Sequence, residues 1–130
     1  MHTFTIPVRW SDMDAYQHVN NTIYLQWLES ARINLAEQLL SKSDATFVLA
    51  HVSIDYHRPV VYPDIIQLDT AVRKIGNTSA TFKTKLTSMQ HKTAVAVAES
   101  VVVLFDFNTQ KPKPWSEKYR KSLLAIQYPD

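Results

Sequence analysis

Two hydrophobic rhythms divide this chain. Leu25, Leu28, Ala31, Leu35 and Leu39 recur at spacings of three and four, the mark of an amphipathic helix. The helical run covers residues 24–40. About 27 Å of helix follows from that length, enough to cross a small sheet. Asn20, Asn21 and Thr22 each suit the cap at its start, and residues 41–45 are expected to end it. From Thr46 the period changes to two. Val48, Ala50, Val52, Ile54 and Tyr56 alternate with His51, Ser53, Asp55 and His57, which predicts a strand with two unlike faces.

The remaining chain continues in strands. Residues 3–10 form a short first strand, with Pro7 pointing to an edge or a bulge. After the proline-containing connection 57–64, strands are expected over 65–75, 78–89 and 93–107. Gly76-Asn77 suits the first tight turn, and a second turn falls near Gln90-His91. Ala94, Ala96 and Ala98 share one predicted face, small enough for a helix to lie close. Residues 111–114 read as a stiff exposed connector. Ser116 caps a last short helix carrying Tyr119, Leu123 and Leu124. One strand, a long helix and four successive strands predict an α+β fold, an antiparallel sheet covered by the helix.

Composition narrows the classes. With 130 residues and 45% hydrophobic content, the chain is expected to form a single domain over 1–130 with a real core. A net charge of +2 argues against nucleic-acid binding through bulk electrostatics. There are no cysteines, so disulfides, thiolate catalysis and cysteine-based zinc sites are excluded. Gly76 is the sole glycine, which excludes glycine-rich phosphate loops. The N-terminus lacks the pattern of a signal peptide, and no apolar run is long enough to span a membrane. A cytoplasmic protein is expected.

The densest chemistry lies just before the helix. Residues 12–21 hold Asp12, Asp14, His18, Asn20 and Asn21. A loop carboxylate near the free N–H groups of a helix N-terminus suits attack on a carbonyl. The carboxylate supplies the nucleophile or base, and the N–H groups hold the oxyanion. The plainer alternative is a capped helix behind a polar turn. Asp12 is expected to be a structural partner for the loop. His51, Asp55 and His57 fall on one predicted strand face. An extended strand sets His51 roughly 13 Å from Asp55, and Asp55 roughly 7 Å from His57, too far apart to hold one ion together. No metal is expected.

The run Val8-Arg9-Trp10-Ser11-Asp12-Met13-Asp14-Ala15-Tyr16-Gln17-His18-Val19-Asn20-Asn21 resembles the signature of hotdog-fold acyl-CoA thioesterases. It is similar in particular to the 4-hydroxybenzoyl-CoA thioesterase-like family and its long-chain acyl-CoA members. The resemblance extends to Tyr24, Leu28, Glu29 and Arg32, to Arg58-Pro59-Val60 and Tyr62-Pro63-Asp64, and to Gly76, Thr78 and Ser79. Where some relatives have glycine, this chain has Gln17.

The resemblance implies a hotdog fold, a long central helix wrapped by a curved five-stranded antiparallel sheet. It implies a homodimer, commonly a homotetramer, with active sites between subunits. Asp14 is then nucleophile or general base, and the backbone N–H near Asn21 polarises the thioester carbonyl. His18 orients substrate or loop. Tyr24 is a candidate for the acyl pocket. Arg58, Arg73 and Lys74, with Lys83 and Lys85, are candidates for the coenzyme A phosphates, and Ser79 stands with them as substrate-binding. The substrate is an acyl-CoA; no cofactor is needed, since coenzyme A belongs to the substrate. A hydratase or dehydratase pairing Asp14 with His18 is one alternative, and a non-catalytic acyl-thioester binding module is another.

Overall fold

The computed structural model describes residues 1–39 and 46–128, so the expected helix end at 41–45 lies outside the described residues. The elements are β1 (His2–Pro7), a 3₁₀ turn (Trp10–Asp12), α1 (Asn21–Leu39), β2 (Phe47–Tyr56), β3 (Ile65–Ile75), β4 (Ser79–Ser88), β5 (Thr93–Asp106), β6 (Lys111–Pro112) and α2 (Glu117–Leu124). The helix opens at Asn21, earlier than its first buried residue, because Asn20 supplies the cap. Five long strands run in the order β1-β3-β4-β5-β2, every neighbour antiparallel. A short sixth strand adds to the five that the sequence predicts. Lys111–Pro112, predicted as connector, pairs with Phe105 and Asp106 at the end of β5.

One face of the sheet carries Ile66, Leu68, Leu86, Ala96 and Ala98, packed with Tyr24, Trp27, Leu28 and Ala31 of α1. Ala96 and Ala98 keep that face flat where the helix crosses. A second cluster gathers Leu35, Val72, Phe82 and Leu104 with Trp115, Tyr119 and Leu123 from the C-terminal segment. The core therefore has two ends. One lies beside the polar loop, the other under α2.

Three bulges interrupt the sheet, and two of them alter the predicted faces. In β2 the register skips Ala50 between Leu49 and His51. Val52, Ile54 and Tyr56 do share the inner face, opposite Ser100, Ala98 and Ala96. Val48 and Ala50 do not join them, since Leu49 and Phe47 pair with the inward Val102 and Leu104. In β5 Val95 is the extra residue between Ala94 and Ala96. Ala94 then falls opposite the outward Thr87, and Val95 enters the core in its place. In β3 the extra residue is Arg73. Gly76 closes the β3–β4 turn, donating its N–H to the Ser79 carbonyl at 2.8 Å. A Cβ on Gly76 would lie 2.6 Å from the Ser79 hydroxyl, which favours glycine there.

Candidate active site

The polar loop is a small hairpin built on Asp12. That carboxylate is almost fully buried. It accepts the Arg9 backbone N–H at 2.8 Å and the Arg9 guanidinium at 2.8 and 3.1 Å. The Asp12 carbonyl accepts the Asn20 N–H at 3.0 Å, Met13 bridges Val19, and the Asp14 N–H reaches the His18 carbonyl at 2.9 Å. The ribbon is fastened to the core by the Val19 N–H, which donates to the Val60 carbonyl at 2.8 Å. Asp12 is thus the structural partner that the sequence implies, both of its carboxylate oxygens engaged by Arg9.

Asp14 sits at the base of the turn. Its Oδ1 accepts the Tyr16 N–H at 2.9 Å, and its carbonyl accepts the Gln17 N–H at 3.0 Å. Oδ2 has no partner among the described residues, so one carboxylate oxygen is free to act. Gln17 takes a positive φ of 63°, the conformation in which glycine is easiest. His18 is exposed.

Two residue steps along the ribbon, roughly 7 Å, the helix begins. Asn20 Oδ1 accepts the Thr22 N–H at 2.9 Å and the Thr22 hydroxyl at 2.8 Å. The Asn20 carbonyl accepts the Ile23 N–H at 2.9 Å. These bonds use up the cap and leave one donor. The Asn21 N–H has no partner among the described residues. It carries the partial positive charge of a helix N-terminus and lies at an exposed position. Asp14 and the Asn21 N–H therefore lie on one short ribbon, a carboxylate and a donor roughly two to three residue steps apart.

Other candidates fall differently. Arg58 lies at this end, its N–H donating to the Val95 carbonyl at 3.2 Å. Tyr24 is 3% exposed, stacked on Trp27 with ring centroids 5.0 Å apart. It is part of the core beside the site. Burial pushes its hydroxyl up to about 12, with Tyr56 adding and a backbone hydrogen bond with Val60 opposing. Arg73, Lys74 and Ser79 stand at the opposite end of the same chain's sheet. Ser79 pairs with Val103, and Thr87 with Ala94, at the two ends of β4. Arg73 is held by Glu99 at 3.2 Å on the outer sheet face. Lys83 lies over the Tyr128 ring, 4.6 Å from its centroid.

The sequence marks Tyr56 only as an inner-face strand residue. In the structure its hydroxyl lies 3.3 Å from the Asn21 carbonyl, to which it donates. A groove of about 350 Å³ between α1 and β2 is lined by Arg32, Ile33, Ala36, Phe47 and Leu49 among others. Arg32 is roughly 16 Å along the helix from Asn21 at 1.5 Å per residue. Burial lowers the Arg32 guanidinium below its ordinary value, against the opposing pull of Glu29. Among the described residues no cluster of three or more His, Asp or Glu side chains is placed to hold a metal. No described helix is long and apolar enough to cross a membrane.

A helix wrapped by an antiparallel sheet, with a carboxylate loop at its N-terminus, defines the class of hotdog thioesterases. Residues 8–123 match the thioesterase-like superfamily, and the chain belongs to that family. The long-chain acyl-CoA thioesterase FadM of Escherichia coli is 31% identical over 123 residues, covering 91% of this chain and 93% of its own. A predicted thioesterase from Bacillus stearothermophilus superposes with a TM-score of 0.87 at 28% identity, covering 98% of this chain and 97% of the other. A thioesterase from Thermus thermophilus, complexed with coenzyme A and Zn, gives a TM-score of 0.85 at 25% identity, covering 98% and 95%.

Proposed function

We infer that the chain is an acyl-CoA thioesterase, hydrolysing an acyl-CoA to a free carboxylic acid and coenzyme A. The observation that carries the mechanism is the Asp14–Asn21 pair, a carboxylate with one free oxygen and an unpaired helix N-terminal N–H on one ribbon. Asp14 attacks the thioester carbon or takes a proton from the attacking water. The Asn21 N–H stabilises the charge that develops on the carbonyl oxygen. With Asp14 as base, the C–S bond breaks as the proton taken from water passes to the leaving thiolate. With Asp14 as nucleophile, C–S cleavage leaves an acyl-Asp14 anhydride. Water hydrolyses it to the free acid, while its proton goes to the thiolate and the carboxylate is regenerated. Every step uses groups of the chain and water, so the reaction needs no metal or redox cofactor. His18, exposed beside Asp14, orients the entering thioester.

Farther along α1 from Asn21, the α1–β2 groove offers the acyl chain an apolar wall of Ile33, Ala36, Phe47 and Leu49, with Glu29, Arg32 and Glu37 at its sides. This favours the long acyl groups named for FadM, here as a proposal. Arg58 meets the coenzyme A phosphates at the loop end. Arg73, Lys74 and Ser79 serve the same ligand from a partner subunit. Antiparallel pairing of β2 with its symmetry copy reverses the sheet, so the partner's hairpin end lies at this chain's loop end. A homodimer is therefore part of the reading, as is a cytoplasmic location, where acyl-CoA substrates are formed.

Free-thiol release from a panel of acyl-CoAs tests the proposal. Asp14→Asn keeps the size and loses the charge, and turnover is expected to fall by at least ~10² with the fold intact. Asp12→Asn should cost less turnover. Wild-type turnover in Asp14→Asn would refute the mechanism. Conversion of acyl-CoA without thiol release would instead identify a hydratase or dehydratase, and binding without conversion a carrier module.

A further inference from the structure

We propose that Tyr56 is a positioning residue for this reaction, holding the first turn of α1 so that the Asn21 N–H faces the thioester oxygen. The inference rests on the reading of that N–H as the oxyanion donor.

Asn21 is the boundary residue of the helix. Helix ends fray, and a donor that stabilises developing charge works best when its direction is fixed before the reaction. The Asn20 cap holds Asn21 from its N-terminal side. On its other side the Asn21 carbonyl receives the Tyr56 hydroxyl at 3.3 Å, a contact longer than the usual ~2.7–2.8 Å of an O–H···O bond. Position therefore comes from the ring and strand as well as from the hydrogen bond. The Tyr56 ring meets Tyr24 edge-on, with centroids 5.0 Å apart at 85°. Tyr24 in turn packs on Trp27 in the core. Behind the ring, the end of β2 is clamped. The next two N–H groups, of His57 and Arg58, both donate to the Val95 carbonyl at 2.8 and 3.2 Å. Val95 is the residue that bulges from β5.

The bulge, the clamp and the aromatic stack thus deliver one hydroxyl to one carbonyl. Burial raises the Tyr56 pKa above the ordinary tyrosine value, so the hydroxyl stays protonated and donates throughout the neutral range.

Tyr56→Phe keeps the ring, the stack and the strand, and removes only the hydroxyl. The test is steady-state thiol release on short and long acyl-CoAs, measured well below the thermal midpoint of both proteins. Loss of one weak hydrogen bond that matters in the transition state predicts a kcat lower by about 3- to 10-fold. KM should be unchanged, and the factor should be the same for every acyl length. An unchanged kcat with a lowered thermal midpoint would make Tyr56 merely structural and overturn the proposal. A rise in KM that grows with acyl length, at constant kcat, would make it a pocket wall and also overturn it. A wild type that releases no thiol from any acyl-CoA would overturn the thioesterase reading and this inference together. An active wild type matched by Tyr56→Phe would overturn this inference alone.

Discussion

Gln17 shows how a single residue can be tolerated rather than chosen. Its φ of 63° lies in the left-handed region, which costs an L-residue with a Cβ about 1–2 kcal/mol. Glycine avoids that cost but loses more conformational entropy on folding. The two effects leave a small balance in favour of glycine. Gln17→Gly is expected to stabilise the fold by about 0.5–1 kcal/mol, read as a higher urea midpoint at unchanged slope. Gln17→Val should lower the midpoint, because a β-branched side chain is worse there than an unbranched one. The local sequence displayed Asp12, Asp14 and Asn21 plainly, since their order along the chain is also their order on the ribbon. It set Asp12 apart as the structural acid but did not display the partner that makes it so, Arg9, whose guanidinium and N–H together occupy Asp12. Nor did it single out Tyr56, which meets Asn21 only because β2 returns alongside α1.

The elements themselves followed from periodicity, and the departures have one cause. A period-two pattern assigns faces on the assumption that each strand is regular. One extra residue reverses every assignment beyond it. Ala50 does this in β2 and Val95 in β5. No local composition marks either, because the inserted residues are ordinary apolar ones. The bulge in β5 has a use. It lets one carbonyl take both His57 and Arg58 N–H groups, which turns the chain at the end of β2 and sets the Tyr56–Tyr24–Trp27 stack. That α1–β2 seam has a pH signature. Folding holds the Tyr24 hydroxyl up to about 12, against an ordinary 10.0. The folded state therefore keeps a proton that the unfolded chain gives up first. Stability from this group is fully present below the unfolded pKa and is lost as pH rises from there toward the folded pKa. Chemical denaturation across that window should show the wild type losing stability more steeply than Tyr24→Phe. Parallel slopes for the two proteins would place the alkaline loss elsewhere.

At the scale of the molecule, the order of elements and the antiparallel sheet were legible, while the way its ends meet was not. Arg73, Lys74 and Ser79 share a hairpin with the family's glycine, yet within one chain they stand at the far end from Asp14. Sequence spacing carries no information about which end of a sheet a hairpin occupies. Two edges are open in the strand order, β1 and β2. The β2 edge is ten residues long. Beside it lie large exposed apolar side chains, Val48 and Leu49 on the strand and Leu25 and Ile33 on α1. An open edge flanked by such a surface invites pairing with another strand, and a two-fold operator makes that contact self-complementary. In a dimer paired in that way, the reversal of strand direction across the two-fold would bring the partner's hairpin cations to the end where Asp14 and Asn21 lie. Sedimentation at micromolar concentration is expected to show a dimer of 15.0 kDa chains. Val48 is 37% exposed in the single chain and lies outside the α1–β2 groove, so Val48→Asp places a charge in the predicted interface without touching the proposed acyl path. It should shift the protein to monomer, and raise KM for acyl-CoA if the partner subunit supplies the phosphate contacts. A wild type that sediments as a monomer and is fully active would sever the link between assembly and catalysis. The coenzyme A phosphates would then be left to Arg58, the cation already at the loop end.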